Sequence, residues 1–180
     1  EIGRIAHEHG VLFHTDAVQA AGHMPIDVEA MHIDLMSIAA HKFRGPKGVG
    51  ALYVRKGVRV PPLIHGGGQE RNLRSGTENV AGIHSMACAL KEAVDNMDAN
   101  MSRVAAMRDR IIGALLMIPY SRLAGHPEDR LPGTASFIFE CVEGESIVLS
   151  LDMEGVCASS GSACSSASLD PSHVLLAIGL

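Results

Sequence analysis

The sequence predicts an α/β fold, and three observations carry that prediction. Helical and strand-like apolar patterns alternate from the first residues, the strand-like runs end in polar residues, and glycine-containing turns separate them. "IGRIAHEHG" is a helix that closes on Gly10, a C-cap signal. "VLFHTDA" follows as a short strand ending at Asp16, and "IDLMSIAAHK" is a second, ending in His41 and Lys42. After the turn "RGPKG", "VGALYVRKG" is a third. Strands joined by short helical or looped crossovers predict a mainly parallel sheet with ligand groups at the strand ends.

Beyond the loop "PPLIHGGGQERNLRSGTEN", Val80, Ile83, Leu90, Val94, Met97, Met101, Val104 and Ile111 recur at helical spacing, which predicts one long helix stopped by Pro119. "LPGTASFIFECV" then alternates as a strand, "EGESIVLSLDM" is a helix and "GVCASS" a short strand. "LDPSHVLLAIG" is a closing helix with Asp170 as N-cap and Pro171 at its first position. The predicted division is 1–119, the larger α/β part with its long connecting helix, and 120–180, a smaller α+β domain.

Composition narrows the function classes. With 47% hydrophobic residues in 180, a real core is expected. No apolar run is long enough to span a bilayer, and the opening residues lack the pattern of a signal peptide. A net charge of -5 with scattered basic residues gives no footprint for nucleic acid. The four cysteines, Cys88, Cys141, Cys157 and Cys164, have no CxxC spacing, which argues against a zinc ribbon and for free thiols in a reducing, cytoplasmic setting. No histidines group as metal ligands, so no metal is expected. The chain starts without Met inside a helix and stops just after one, and it reads as a piece of something longer.

Three places offer chemistry. Asp16, with Gln19 three residues on, sits at a strand end; taken alone, such an Asp is by default a helix cap or loop hydrogen-bonder. Lys42 ends an apolar strand, where partial desolvation favours a neutral amine that attacks carbonyls, whereas Lys47 in the turn is an ordinary exposed lysine. A Schiff-base lysine with a carboxylate for a pyridinium nitrogen is what pyridoxal phosphate requires. "IHGGGQERNLRSGTEN" supplies close-approach glycines with Arg71, Arg74, Ser75 and Thr77 before a helix N-terminus, an arrangement suited to phosphate. Cys164, in "CASSGSACSSASLDPSHV", has only small and polar neighbours, the setting of a reactive rather than a packed thiol. Cys88 and Cys141 are expected to be packed and Cys157 half-buried.

Together and in this order, "HTDAVQAAGHMPID", "DLMSIAAHKFRGPKGVGALYVRKG", "HGGGQERNLRSGTEN" and "SSGSACSSASLDPSHVL" resemble the cysteine desulfurases of the class V aminotransferase group, over nearly the whole chain. The resemblance is to the branch with a long loop around the catalytic cysteine that feeds iron-sulfur cluster assembly. It implies part of a PLP fold-type I large domain followed by a smaller α+β domain. It also implies pyridoxal 5'-phosphate as cofactor and L-cysteine as substrate. A homodimer and a sulfur-acceptor or iron-sulfur scaffold protein as partner are implied as well.

By that resemblance Lys42 matches the cofactor-bearing lysine, Asp16 the partner of the ring nitrogen, and Gln19 the donor to the ring's phenolic oxygen. His41 matches a phosphate contact and Thr77 the residue that reaches the neighbouring subunit's cofactor. Cys164 matches the thiolate that attacks the substrate's sulfur, leaving alanine and a persulfide. The chain departs from the pattern at Ala39, where the family often has a phosphate-binding Ser. The resemblance also places a ring-stacking group and further phosphate contacts before residue 1, and a substrate-binding arginine after residue 180. Two other readings compete. One is a class V aminotransferase or lyase without persulfide chemistry; the other is a non-enzymatic thiol or metal-binding module built on Cys141, Cys157 and Cys164.

Overall fold

The computed structural model describes residues 1–161 and 172–180. They divide into two compact units, Glu1–Asp109 with Asp129–Thr134, and Arg110–Glu128 with Ala135–Leu180.

The first unit opens with helix α1 (Ile2–Glu8). Its end is set by Gly10 at φ 65: the Gly10 N–H donates to the His7 carbonyl at 3.0 Å and the Val11 N–H to Ala6 at 2.9 Å. This doubly closed C-cap needs a left-handed residue, which glycine supplies without strain. Strands β1 (His14–Asp16), β2 (Leu35–Ala39) and β3 (Gly50–Val54) form one sheet in that order. β1 and β2 run parallel, as predicted, with Asp16 opposite Ser37. β2 and β3 are antiparallel, with Ala39 opposite Gly50, because the ten residues between them are too few for a crossover that would return the chain in the same direction.

β2 stops at Ala39, so His41 and Lys42 are not strand residues as expected but lie in a 3-10 turn over Ala40–Phe43. The core explains the change. Ala40 (0% exposed) and Phe43 (3%) both join Ala21 and Met86 in the main buried cluster, with Ile38, Val49, Ala89, Leu90 and Ala93 packed around it. Residues three apart share a face in a 3-10 turn and lie on opposite faces of a strand.

The predicted long helix is two, α2 (Val80–Asp95) and α3 (Met97–Leu115), parted at Asn96. The Asn96 side-chain amide donates to the Glu92 carbonyl at 2.9 Å while its backbone N–H reaches the same oxygen at 3.2 Å. Such a side chain competes for a helix carbonyl and weakens the regular ladder. α2 begins on Asn79, whose side chain accepts from the Gly82 N–H at 3.1 Å, and its Met86 and Ala89 face the core.

The second unit pairs β4 (Ser121–Ala124), which has no clear alternation in the sequence, with β5 (Ser136–Phe139) in antiparallel register. α4 (Gly144–Met153) is the predicted helix. The run after it joins no sheet among the described residues; the Val156 N–H instead closes α4 by donating to Leu151 at 2.8 Å. α5 is His173–Ala177; Asp170 and Pro171, the expected cap and first position of this helix, lie outside the described residues. No helix among the described residues is long and apolar enough to cross a membrane.

Candidate active site

Sheet parity decides which residues face a ligand. Ile38 packs into the cluster under α2, so its neighbour Ser37 points to the other face, and the registered partner Asp16 shares that face. α2 therefore packs over the turn that follows β2 and over Ile38 on one side of the sheet, and at the carboxyl ends of the strands β1 closes on Asp16 and β2 leads into the turn carrying His41 and Lys42. This is the end at which open α/β sheets bind ligands.

Asp16 is exposed and held: its Oδ1 accepts from the Val18 N–H at 2.9 Å, an Asx turn, and the Ala17 N–H donates to the Ser37 carbonyl at 2.9 Å. The default reading of a strand-end Asp as a local cap is thus satisfied by one oxygen, and the other remains open to a ligand. Gln19 is exposed in the turn that follows. Ala40 and Phe43, pinned in the core, fix the backbone on which His41 is exposed and Lys42 half-buried. Among the described residues none of Gln19, His41, Lys42 and Thr77 is committed to a side-chain hydrogen bond or ion pair within the chain.

Asp16 ends β1 and Gln19 follows it, and His41 and Lys42 follow β2, so all four lie at or after the carboxyl ends of two paired strands, but no bond joins any two of them. Lys42 instead lines a cavity of about 100 Å³ on the α2 side, with His23, Arg44, Glu92 and Asn100; neither Asp16 nor Gln19 lines it. Thr77 is exposed in the segment before α2 and makes no hydrogen bond to any of these four. Cys164 lies outside the described residues.

Two expectations need correction. The loop before α2 is not an open cradle of four donors. Ser75 is buried, its Oγ donating to the His65 carbonyl at 3.0 Å, and Arg74 Nη1 donates to the Ser75 carbonyl at 2.8 Å. Both side chains are used to close the loop, leaving Arg71 and Thr77. The thiols are also not packed: Cys88, Cys141 and Cys157 are all exposed. Alanine neighbours in sequence made Cys88 look internal, but it lies on the face of α2 opposite Met86. Cys141 follows rather than ends β5 and has φ 62.

Sequence reasoning missed the clamp at the opposite sheet edge. Arg55 Nε lies 3.0 Å from Asp34 Oδ1, its Nη2 donates to the Val28 and Ile33 carbonyls at 2.9 and 3.0 Å, and it also pairs with Glu29. Asp34 Oδ2 in turn accepts from the Phe13 N–H at 2.9 Å, just before β1. The signal was one step past the register: Leu35 pairs with Val54, so Asp34 and Arg55 are the next cross-strand pair. The hydrogen bond to Glu29 raises the Arg55 pKa above its ordinary value. Arg55 therefore keeps its charge to higher pH than an ordinary guanidinium, and its share of the clamp is lost only as the pH climbs through the raised pKa.

Residues 1–179 match the model of the family described as aminotransferase class-V. The chain is 53% identical over its whole length to the cysteine desulfurase IscS of Methanosarcina thermophila, covering 45% of that protein. It is 47% identical over its whole length to the cysteine desulfurase NifS of Azotobacter vinelandii, again covering 45%. Among solved structures, the NifS-like protein from Rickettsia africae superposes with a TM-score of 0.84 at 32% identity, over 89% of this chain and 45% of that one. A structure titled SspA in complex with cysteine superposes at 0.73 with 37% identity, over 99% of this chain and 49% of the other. The chain thus spans about half the length of the relatives it matches, and by its match over residues 1–179 it belongs to the aminotransferase class-V family.

Proposed function

We propose that this chain supplies the cofactor-lysine half and the thiol of a pyridoxal 5'-phosphate-dependent cysteine desulfurase, which converts L-cysteine to L-alanine and leaves sulfur on Cys164 as a persulfide. The observation that supports it most is the set of residues at this end of the paired strands. At and after the carboxyl ends of β1 and β2 the chain offers a carboxylate with one oxygen held by Val18, a carboxamide, an imidazole and an amine, the residue types that a pyridine ring and its phosphate call for. The cofactor, when bound, supplies an electron sink for charge developing at the substrate's Cα.

The chain's own residues then divide the work. Lys42 holds the cofactor and, once released, takes the Cα proton. Asp16, oriented by the Val18 N–H, keeps a proton on the ring nitrogen through its open oxygen. Gln19 donates to the phenolic oxygen and His41 to the phosphate, while Ala39 gives no side-chain contact there. The Cys164 thiolate attacks the substrate's sulfur. Thr77 reaches the cofactor of a second subunit in a homodimer, the sulfur passes to an acceptor or iron-sulfur scaffold protein, and the enzyme works in the cytoplasm.

The test is product analysis with L-cysteine and the cofactor. Alanine formation that is lost in both Lys42→Ala and Cys164→Ala supports the proposal. If alanine or another product still forms in Cys164→Ala, the protein is an aminotransferase or lyase without persulfide chemistry. Bound zinc or iron without cofactor would favour the thiol module.

A further inference from the structure

β1 is only three residues long, so its own ladder to β2 is short, yet the face that Asp16 takes depends on that ladder keeping one register. A slip of one residue would turn Asp16 to the opposite face of the sheet. At the carboxyl end the register is closed by the Ala17 N–H, which donates to the Ser37 carbonyl at 2.9 Å. At the amino end Asp34 closes it. Its Oδ2 accepts from the Phe13 N–H at 2.9 Å, while the Asp34 and Leu35 N–H groups donate to the Phe13 carbonyl at 3.0 and 3.1 Å. Arg55 holds that carboxylate in turn, with Nε 3.0 Å from Asp34 Oδ1, Nη2 donating to the Val28 and Ile33 carbonyls, and Nη1 paired with Glu29. All of these groups lie in the first unit.

We infer that Arg55 and Asp34 are positioning residues for Asp16, fixing the β1–β2 register from the amino end of the strands, three residues or about 10 Å along β1 from the carboxylate. With side chains 25% and 16% exposed, the pair is largely shielded, and a shielded ion pair adds little stability that apolar side chains of similar volume would not. What it adds is direction. The guanidinium fork meets one carboxylate orientation and two carbonyls at once, and the remaining carboxylate oxygen then has one amide to accept from, that of Phe13. An apolar contact at the same place would tolerate the neighbouring register. The Arg55 N–H also donates to the Asp34 carbonyl at 2.8 Å, so the same two residues tie β3 to β2 where β1 begins. The use made of Asp16 rests on the desulfurase reading; the register that places it does not.

The test is native-state amide hydrogen exchange on the full chain without cofactor, comparing the parent with Arg55→Leu and Arg55→Lys. The Ala17 amide reports the β1–β2 register, and the Ala40 amide, which donates to the Val49 carbonyl at 2.9 Å beside the Lys42 turn, is the internal reference. In Arg55→Leu the Ala17 amide is expected to exchange at least about tenfold faster while Ala40 keeps its parent rate, the mark of a local opening rather than of lower overall stability. Arg55→Lys, which returns the charge without the fork, is expected to fall between the two. In the chain loaded with pyridoxal 5'-phosphate, Arg55→Leu is expected to move the visible absorbance in the same direction as Asp16→Asn while borohydride still labels Lys42. Equal acceleration of Ala17 and Ala40 would reduce the clamp to a general stabiliser and overturn the inference, as would an unchanged Ala17 rate or a loaded Arg55→Leu chain with the parent's absorbance. A parent that takes no label on Lys42 would count against the desulfurase reading, and the exchange rates would still decide whether the clamp sets the register.

Discussion

The two units differ in how much they bury. Ala17, Ala21, Ile33, Ala40, Phe43 and Met86 are buried in the first, whereas Ala124 is the buried hydrophobic residue of the second among the described residues. Large apolar side chains of the second unit stand open, including Met117 at 83% and Met153 at 88% exposure. The lesson concerns precision. Lys42 is set on a turn in which Ala40 and Phe43 are both locked in the core. In the second unit, residues 154–161 after α4 join no sheet among the described residues.

That contrast can be broken by substitution, and the largest effect belongs to Phe43. Removing its buried ring in Phe43→Ala is expected to destabilise the first unit by about 3–5 kcal/mol, read by urea unfolding, and to weaken cofactor binding by freeing the Lys42 turn. If binding is unchanged while stability falls, the core does not hold the turn. Next comes Gly3→Ala. A Cβ there would lie 2.2 Å from the Met31 carbonyl oxygen, an overpacking that costs about 1–3 kcal/mol in the same assay.

A smaller loss follows in the second unit at Gly155, which closes α4 as Gly10 closes α1. Gly155 has φ 76 and a methyl added there would meet open space, so Gly155→Ala costs only the left-handed strain, about 1–2 kcal/mol. The smallest effect is at Met153. With 88% of its surface open, Met153→Ala should fall within about 0.5 kcal/mol of the parent in thermal unfolding. A loss several times larger would mean that this face is covered in the folded protein and that the contrast between the units is overstated.

The same contrast explains what the sequence revealed. Residues with strong local signals were legible: the glycine that closes α1, the apolar runs of β1 to β3, and the helix over α4 all follow from side chains a few positions apart. The Asp16 edge was legible because short strands end where polarity begins. What escaped depended on partners distant in sequence. β4 takes its state from β5 rather than from its own alternation, and the Arg55 clamp depends on the strand register. The strand expected through Lys42 failed because Ala40 and Phe43 had to share one buried face. The thiols were misjudged for a related reason: neighbours in sequence say little about which face of a helix a residue takes.

The central claim is that Lys42, fixed by Ala40 and Phe43 at the edge that carries Asp16, is the residue that bears the cofactor. Reduction of the pyridoxal 5'-phosphate-loaded chain with borohydride, followed by peptide mass spectrometry, tests it most directly. The account predicts one pyridoxyl label, on Lys42, that disappears in Lys42→Ala. A label on Lys47 or any other lysine of the folded chain, with Lys42 unmodified, would contradict it.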